Sequence, residues 1–165
     1  MKINVLERKN TMSIKKDAQT AHANLLEKTD PEALERINHF AFDEVQADVD
    51  LPDRTKMLST LAYLMGMQGI DEYKVMLPVA LDNGVSPVEA KEVLYQAVDY
   101  LGLGRVFPFF KATNDVLAAR GVEMPLEGQA TTTMEDRLEK GEETQIRLFG
   151  PQMKGFSKRA QSTSG

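Results

Sequence analysis

Cysteine does not occur in this 165-residue chain. Its absence excludes disulfides, thiolate nucleophiles, CxxC redox chemistry and thiolate metal sites together. It also fits a reducing compartment, so a cytoplasmic protein is expected. Histidine is scarce: His22 and His39 are the two, in different predicted helices, and neither has a carboxylate or second histidine at ligand spacing. Both read as surface or partly buried structural side chains, and neither a metal nor another cofactor is expected. No apolar run approaches the ~20 residues of a membrane span, and MKINVLERKN lacks the apolar stretch of a secretory signal. No membrane partner is expected. Basic excess is missing too: 20 Lys and Arg stand against 25 Asp and Glu, a net charge of −5. Without a basic patch, no nucleic acid is expected as a partner. The short basic tail carrying Lys154, Lys158 and Arg159 reads as a solvated end. Alternation with period two is absent over any useful length, which leaves no confident strand.

What remains is helical. The hydrophobic share of 42% is ordinary for a soluble globular chain, and a chain this long can bury roughly two-thirds of its unfolded surface in one domain. Residues 13–28 are strong helix formers with a weak apolar stripe. Asp30-Pro31 reads as a helix start, with Asp30 as N-cap and Leu34, Ile37, Ala41 and Val45 on one face. Leu51-Pro52-Asp53 opens another helix, whose broad apolar face runs through Met57, Leu58, Leu61, Ala62, Leu64 and Met65. A third runs from about Asp71 to Asn83, with Tyr73, Met76, Leu77, Ala80 and Leu81 on one face, Pro78 inside it and Gly84 closing it.

Ser86-Pro87-Val88-Glu89 is a capping box. The periodic stripe Ala90, Val93, Leu94, Ala97, Val98, Leu101 follows without a slip. Gly102 and Gly104 then break the chain before a helix with Val106, Phe109, Phe110, Val116 and Leu117 inward. Residues 122–133 read as a connecting loop, and a last helix is expected from about Met134 to Phe149 with Thr133 as cap. The expectation is an all-α chain of six to seven helices, organised as an N-terminal helical extension (1–28), a central helical domain (29–121) and a linker, C-terminal helix and tail (122–165).

Chemistry-bearing residues are few. Asp71-Glu72 offers a carboxylate pair, although negative charge in a first helical turn is also favoured by the helix dipole. Lys74, Arg105 and Lys111 are cations suited to an anionic ligand or to a solvated surface. The GLGR at 102–105 follows no strand and is not a nucleotide fingerprint. The nine methionines read mostly as gap-filling core.

Taken in order, LPDRTKMLSTLAYLMG, then DEYKVMLPVALDNGVSPVEAKEVLYQAVDYLGLGRV, then a helix ending AARG resemble the carboxymuconolactone decarboxylase family of the alkylhydroperoxidase-D-like superfamily. The likeness covers about residues 35 to 120. It implies an alkylhydroperoxidase-D-like helical bundle that assembles into trimers or hexamers, with pockets near subunit contacts. The placing of Phe107 and Phe109-Phe110 on nearly opposite sides of one helix independently asks for a partner.

The resemblance also implies two chemistries. The thiol branch reduces peroxides through a CxxC motif, which a cysteine-free chain cannot do. The decarboxylase branch carries a histidine eight residues before the glycine of the NG pair, and here that position is Met76. A thioether exchanges no proton, so acid–base catalysis there is lost. The family's usual proline after Tyr-x-Gly-x is Gly104. Related longer proteins resemble this chain as their His-lacking first half, followed by a helix like EDRLEKGEETQIRLFG and a second domain. Two expectations follow. One is a lyase acting on a small anionic carboxylate or lactone, with Glu72 as the catalytic group and Lys74, Met76, Tyr100 and Arg105 binding substrate. The other is a non-catalytic oligomeric ligand-binding or structural module.

Overall fold

The structure, a computed structural model, describes the backbone of residues 5–155 and the side chains of residues 14–155. Lys158 and Arg159 of the basic tail lie outside the described residues. Within them the regular elements are helical: α1 (Val5–Leu26), α2 (Pro31–Asn38), α3 (Asp53–Gly66), α4 (Ile70–Asp82), α5 (Pro87–Leu101), α6 (Leu103–Ala119) and α7 (Arg137–Phe149). The chain is all-α, and none of the described helices is long and apolar enough to cross a membrane. It forms two compact units, one ending at Leu126 and the other beginning at Glu127.

In the first unit the start of α5 is fixed by local chemistry. The Ser86 hydroxyl accepts the Glu89 N–H at 3.2 Å, and Glu89 Oε2 accepts the Ser86 N–H at 2.9 Å. Pro87 supplies the pre-set φ of the first turn. The stripe that follows buries Ala90 and Leu94 completely. The turn before it closes α4: Gly84 takes a φ of +95°, open to glycine without strain, and the Val85 N–H reaches back to the Ala80 carbonyl at 3.0 Å. Val85 is thereby tucked into the core.

The core is apolar with one polar contact at its centre. Met57, Leu61, Leu64 and Met65 come from α3, and Tyr73, Met76, Leu77, Val79 and Ala80 from α4. Val106, Phe109 and Ala112 come from α6, and α1 adds Ile14 and Ala18. Fully burying one such aliphatic or aromatic side chain contributes about 1.5–3 kcal/mol. The Tyr73 ring meets the Phe109 ring edge-on, with centroids 5.0 Å apart at 88°. Its hydroxyl pairs with the buried Thr113 hydroxyl at 2.8 Å, which removes the penalty of an unpaired polar group there. Burial raises the Tyr73 phenol above its ordinary pKa, with the Thr113 hydrogen bond acting weakly the other way.

Several expectations are corrected. Asp30 sits at the N-cap of α2 but makes no side-chain cap hydrogen bond, leaving Pro31 as the start signal. After Asn38 the helix continues as a π-helical turn, His39–Val45, and a short α-turn, Gln46–Asp48. The wider i→i+5 turn breaks the 3.6-residue period. Phe42 therefore joins the core and Val45 is exposed, while in the α-helical turn before it Leu34 is buried and Ile37 exposed. Ala62 is likewise exposed rather than part of the buried face of α3. Pro78 stands inside α4, as expected.

In the second unit α7 begins at Arg137, about one turn later than expected. The Thr133 and Asp136 side chains close the preceding turn instead, through Thr133 N–H to Asp136 Oδ1 at 2.6 Å and Asp136 N–H to Thr133 Oγ1 at 3.3 Å. None of α7's residues is buried.

Candidate functional site

On α4, Tyr73, Met76, Leu77 and Ala80 recur at helical spacing and all turn inward. Met76 is 5% exposed and lines neither of the two surface clefts described below. Its thioether fills core space among apolar neighbours.

One turn earlier on the same helix, Glu72 leaves the core and meets α1. Its Oε1 lies 2.6 Å from His22 Nε2. His22 is 9% exposed, and its other ring nitrogen, Nδ1, is buried with no hydrogen-bond partner. A carboxylate on one imidazole nitrogen fixes the tautomer and leaves the other nitrogen as the basic one. The sequence reading found no partner for His22 because Glu72 is fifty residues away. A signal was present, since Ile14, Ala18 and His22 recur every fourth residue and the first two belong to the core. The histidine had to face inward.

Lys74 points away from this pair and bonds Asp71 at 3.1 Å on the surface. Arg105, in the first turn of α6, is exposed.

Between α3 and α5 lies an open cleft of about 690 Å³. Leu58, Ala62 and Met65 line one wall, and Val93, Ala97 and Leu101 the other. Arg54, Glu89 and Glu92 close one end, and Tyr100, 86% exposed, stands at the other. Glu89 serves two structures with its two oxygens: Oε2 completes the α5 capping box and Oε1 pairs with Arg54 at the start of α3. The sequence revealed the first role and missed the second. A smaller cleft of about 570 Å³ runs along α6, lined by Leu103, Phe107, Phe110, Lys111, Asn114 and Asp115. Beside it Lys91 donates to Asn114 Oδ1 at 2.5 Å and stands 5.7 Å from the Phe110 ring centre. Burial lowers the Lys91 ammonium below its ordinary pKa.

Of the five residues selected from the sequence, Tyr100 alone lines a described cleft. Glu72 joins α1, Lys74 and Arg105 are on the surface, and Met76 is in the core. Among the described residues no three His, Asp or Glu side chains converge as metal ligands.

A cysteine-free helical hairpin, capped by Ser86 and Glu89 and carrying methionine at its inward position, defines an all-α protein of the alkylhydroperoxidase-D-like type. Residues 31–115, just over half of the chain, match the model of the carboxymuconolactone decarboxylase family, and the chain belongs to that family. It is 36% identical over 67 residues to a 4-carboxymuconolactone decarboxylase of Acinetobacter baylyi, an alignment covering 41% of this chain and 50% of that protein. The chain thus spans about half the length of the curated relative it matches. No solved structure matches it.

Proposed function

We infer that this chain is a carboxymuconolactone-decarboxylase-family module whose role is assembly, not proton-transfer catalysis at the family's usual position. The observation that carries this reading is Met76. It stands where the resemblance puts the decarboxylase histidine, and it is buried among Tyr73, Leu77 and Ala80. A general acid or base must both exchange a proton and reach the substrate, and a packed thioether does neither. The exposed Phe107 and Tyr100 support a self-associating surface. The direct test is incubation of the purified chain with 4-carboxymuconolactone, alongside light scattering. No turnover above a protein-free control, together with an oligomer at micromolar concentration, is the expected pair of results. Robust turnover or a strict monomer overturns the reading.

One observation favours a second reading, a lyase acting on a small anionic carboxylate or lactone. Glu72, the catalytic group selected from the sequence, holds a histidine at 2.6 Å. In that case lactone turnover by the unmodified chain would be abolished by either His22→Gln or Glu72→Gln.

A further inference from the structure

Lys91 is an amine with no part in the site described above. It lies half-buried in the second turn of α5. Its neighbours one turn away on that helix are Pro87, Val88, Leu94 and Tyr95, none of them acidic. From α6, Asn114 Oδ1 accepts one of its N–H groups at 2.5 Å, and the Phe110 ring centre stands 5.7 Å away. The carboxylate on that wall, Asp115, is bonded to Lys111. Lys91 is thus desolvated with no ion pair among the described residues to offset the loss. Burial pushes its ammonium below the ordinary lysine value, so free amine is present at a pH where exposed lysines are still charged. The attraction of the Phe110 face for a cation acts the other way, at a distance near the ~6 Å limit of such contacts.

The space beside the amine selects what it can meet. Phe110 and Asn114, the two side chains that Lys91 touches, both line the cleft of about 570 Å³ along α6. Leu103 and Phe107 extend its apolar wall, and the Tyr95 ring backs Phe110 from α5 with centres 5.9 Å apart. All of these residues belong to the first unit. Lys111 is neutralised by Asp115, so the wall offers a flat apolar surface and no spare cation for an anion. A desolvated lysine beside an apolar surface is the setting in which a primary amine captures carbonyl compounds.

We propose that Lys91 captures an aldehyde bearing an apolar or aromatic body as an imine, with Phe107 and Phe110 holding that body in the cleft along α6. The Nζ lone pair attacks the carbonyl carbon. A C–N bond forms as the C=O π bond opens, and an amine proton passes through water to the oxygen. The carbinolamine then loses water to leave C=N. Nothing is oxidised or reduced, and hydrolysis returns both partners. The site uses neither Met76 nor the His22–Glu72 pair.

The test traps the imine. The unmodified full chain is incubated with benzaldehyde near neutral pH, the imine is fixed with cyanoborohydride, and the adduct on each lysine is measured by peptide mass spectrometry. Formaldehyde, which has no body for the cleft to hold, is the parallel probe. Lys91 should carry the benzyl adduct about tenfold more than the exposed Lys74, as expected for one added aromatic contact. Its excess should be much smaller with formaldehyde and should vanish for both probes in urea. Phe107→Ala, at a position 64% exposed, should lower benzyl capture at Lys91 severalfold and leave formaldehyde capture unchanged. Benzaldehyde labelling of Lys91 no greater than that of Lys74 overturns the proposal, whether the amine is ordinary or a second copy covers it. An equal excess with both probes, or one that persists in urea, overturns it as well, because the cleft would then select nothing.

Discussion

Replacing Met76 by alanine should lower stability by about 3 kcal/mol. The substitution deletes Cγ, Sδ and Cε, three methylene-sized groups worth about 0.8 kcal/mol each on transfer from water, or roughly 2.4 kcal/mol. The space they leave adds a cavity cost unless the neighbours collapse into it. Tyr73, Leu77 and Ala80 are themselves fully buried, so little slack exists, and losses for such sites span about 2–5 kcal/mol. For a chain of this size each kcal/mol displaces the melting temperature by about 2–4 °C, giving a drop of about 6–12 °C. Urea unfolding at one fixed protein concentration should show a lower midpoint with an unchanged slope. Met67→Ala, at a site 62% exposed, is the control and should stay within about 0.5 kcal/mol of the unmodified chain. A loss below about 1 kcal/mol at Met76 would refute the packing account. The side chain would then border open space, and the case against proton chemistry there would rest on its identity alone.

Three further outcomes are expected. Ser86→Ala removes the hydroxyl that accepts the Glu89 N–H and should cost about 1 kcal/mol, read from the urea midpoint. Tyr73→Phe strands the buried Thr113 hydroxyl at a cost of about 1–2 kcal/mol. Tyr73→Phe/Thr113→Val, which removes both partners, should lose less than the two single changes added together. Hydrogen bonds from Arg120 hold the Asp82 carboxyl below its ordinary value of 3.8. The pair's contribution is therefore present above that pH and disappears as pH falls through the lower, folded value. Both side chains are over a third exposed, so Arg120→Ala should cost no more than about 0.5–1 kcal/mol near neutrality. That difference should shrink on acidification toward what the hydrogen bond from Arg120 to the Pro78 carbonyl contributes, and one that grew in acid would contradict the assignment.

How much of this could be read from the residues depended on the range of the interaction. The α5 helix was legible because its start signal and its apolar period are both local and agree from Ser86 to Leu101. The end of α4 at Gly84 was legible for the same reason. The π-helical turn was not: HFAFDEV carries no residue that announces i→i+5 bonding, so a 3.6-residue period put Val45 inside and missed Phe42. The reading of Thr133 was nearly right, since its hydroxyl does cap an amide, but the turn it closes lies one step before the helix. At the site, the methionine at position 76, where the resemblance puts a histidine, was visible in the residue types alone. The His22–Glu72 contact joins helices fifty residues apart and needed the packing of α1 onto α4 to appear. The Arg54–Glu89 pair was hidden differently, because Glu89 already had a sufficient local explanation.

The same packing bears on what His22 and Glu72 do together. A general base must present a lone pair to substrate within about 3 Å. Glu72 occupies Nε2, so the basic nitrogen is Nδ1, and Nδ1 is enclosed by protein. Exposing it requires α1 to move off α4. Other contacts oppose that motion. Lys15 pairs with Asp43, Asn83 donates to Asp17 at 3.1 Å, and Ile14 and Ala18 are fully buried. As packed, the dyad therefore ties α1 to α4, with His22 Nδ1 sealed from ligand and the Glu72 side chain partly exposed. A lyase using His22 as its base would have to undock α1 in each cycle, breaking apolar contacts as well as polar ones. His22→Gln separates the two roles. A tie alone loses stability and no turnover, whereas a base loses the turnover along with it.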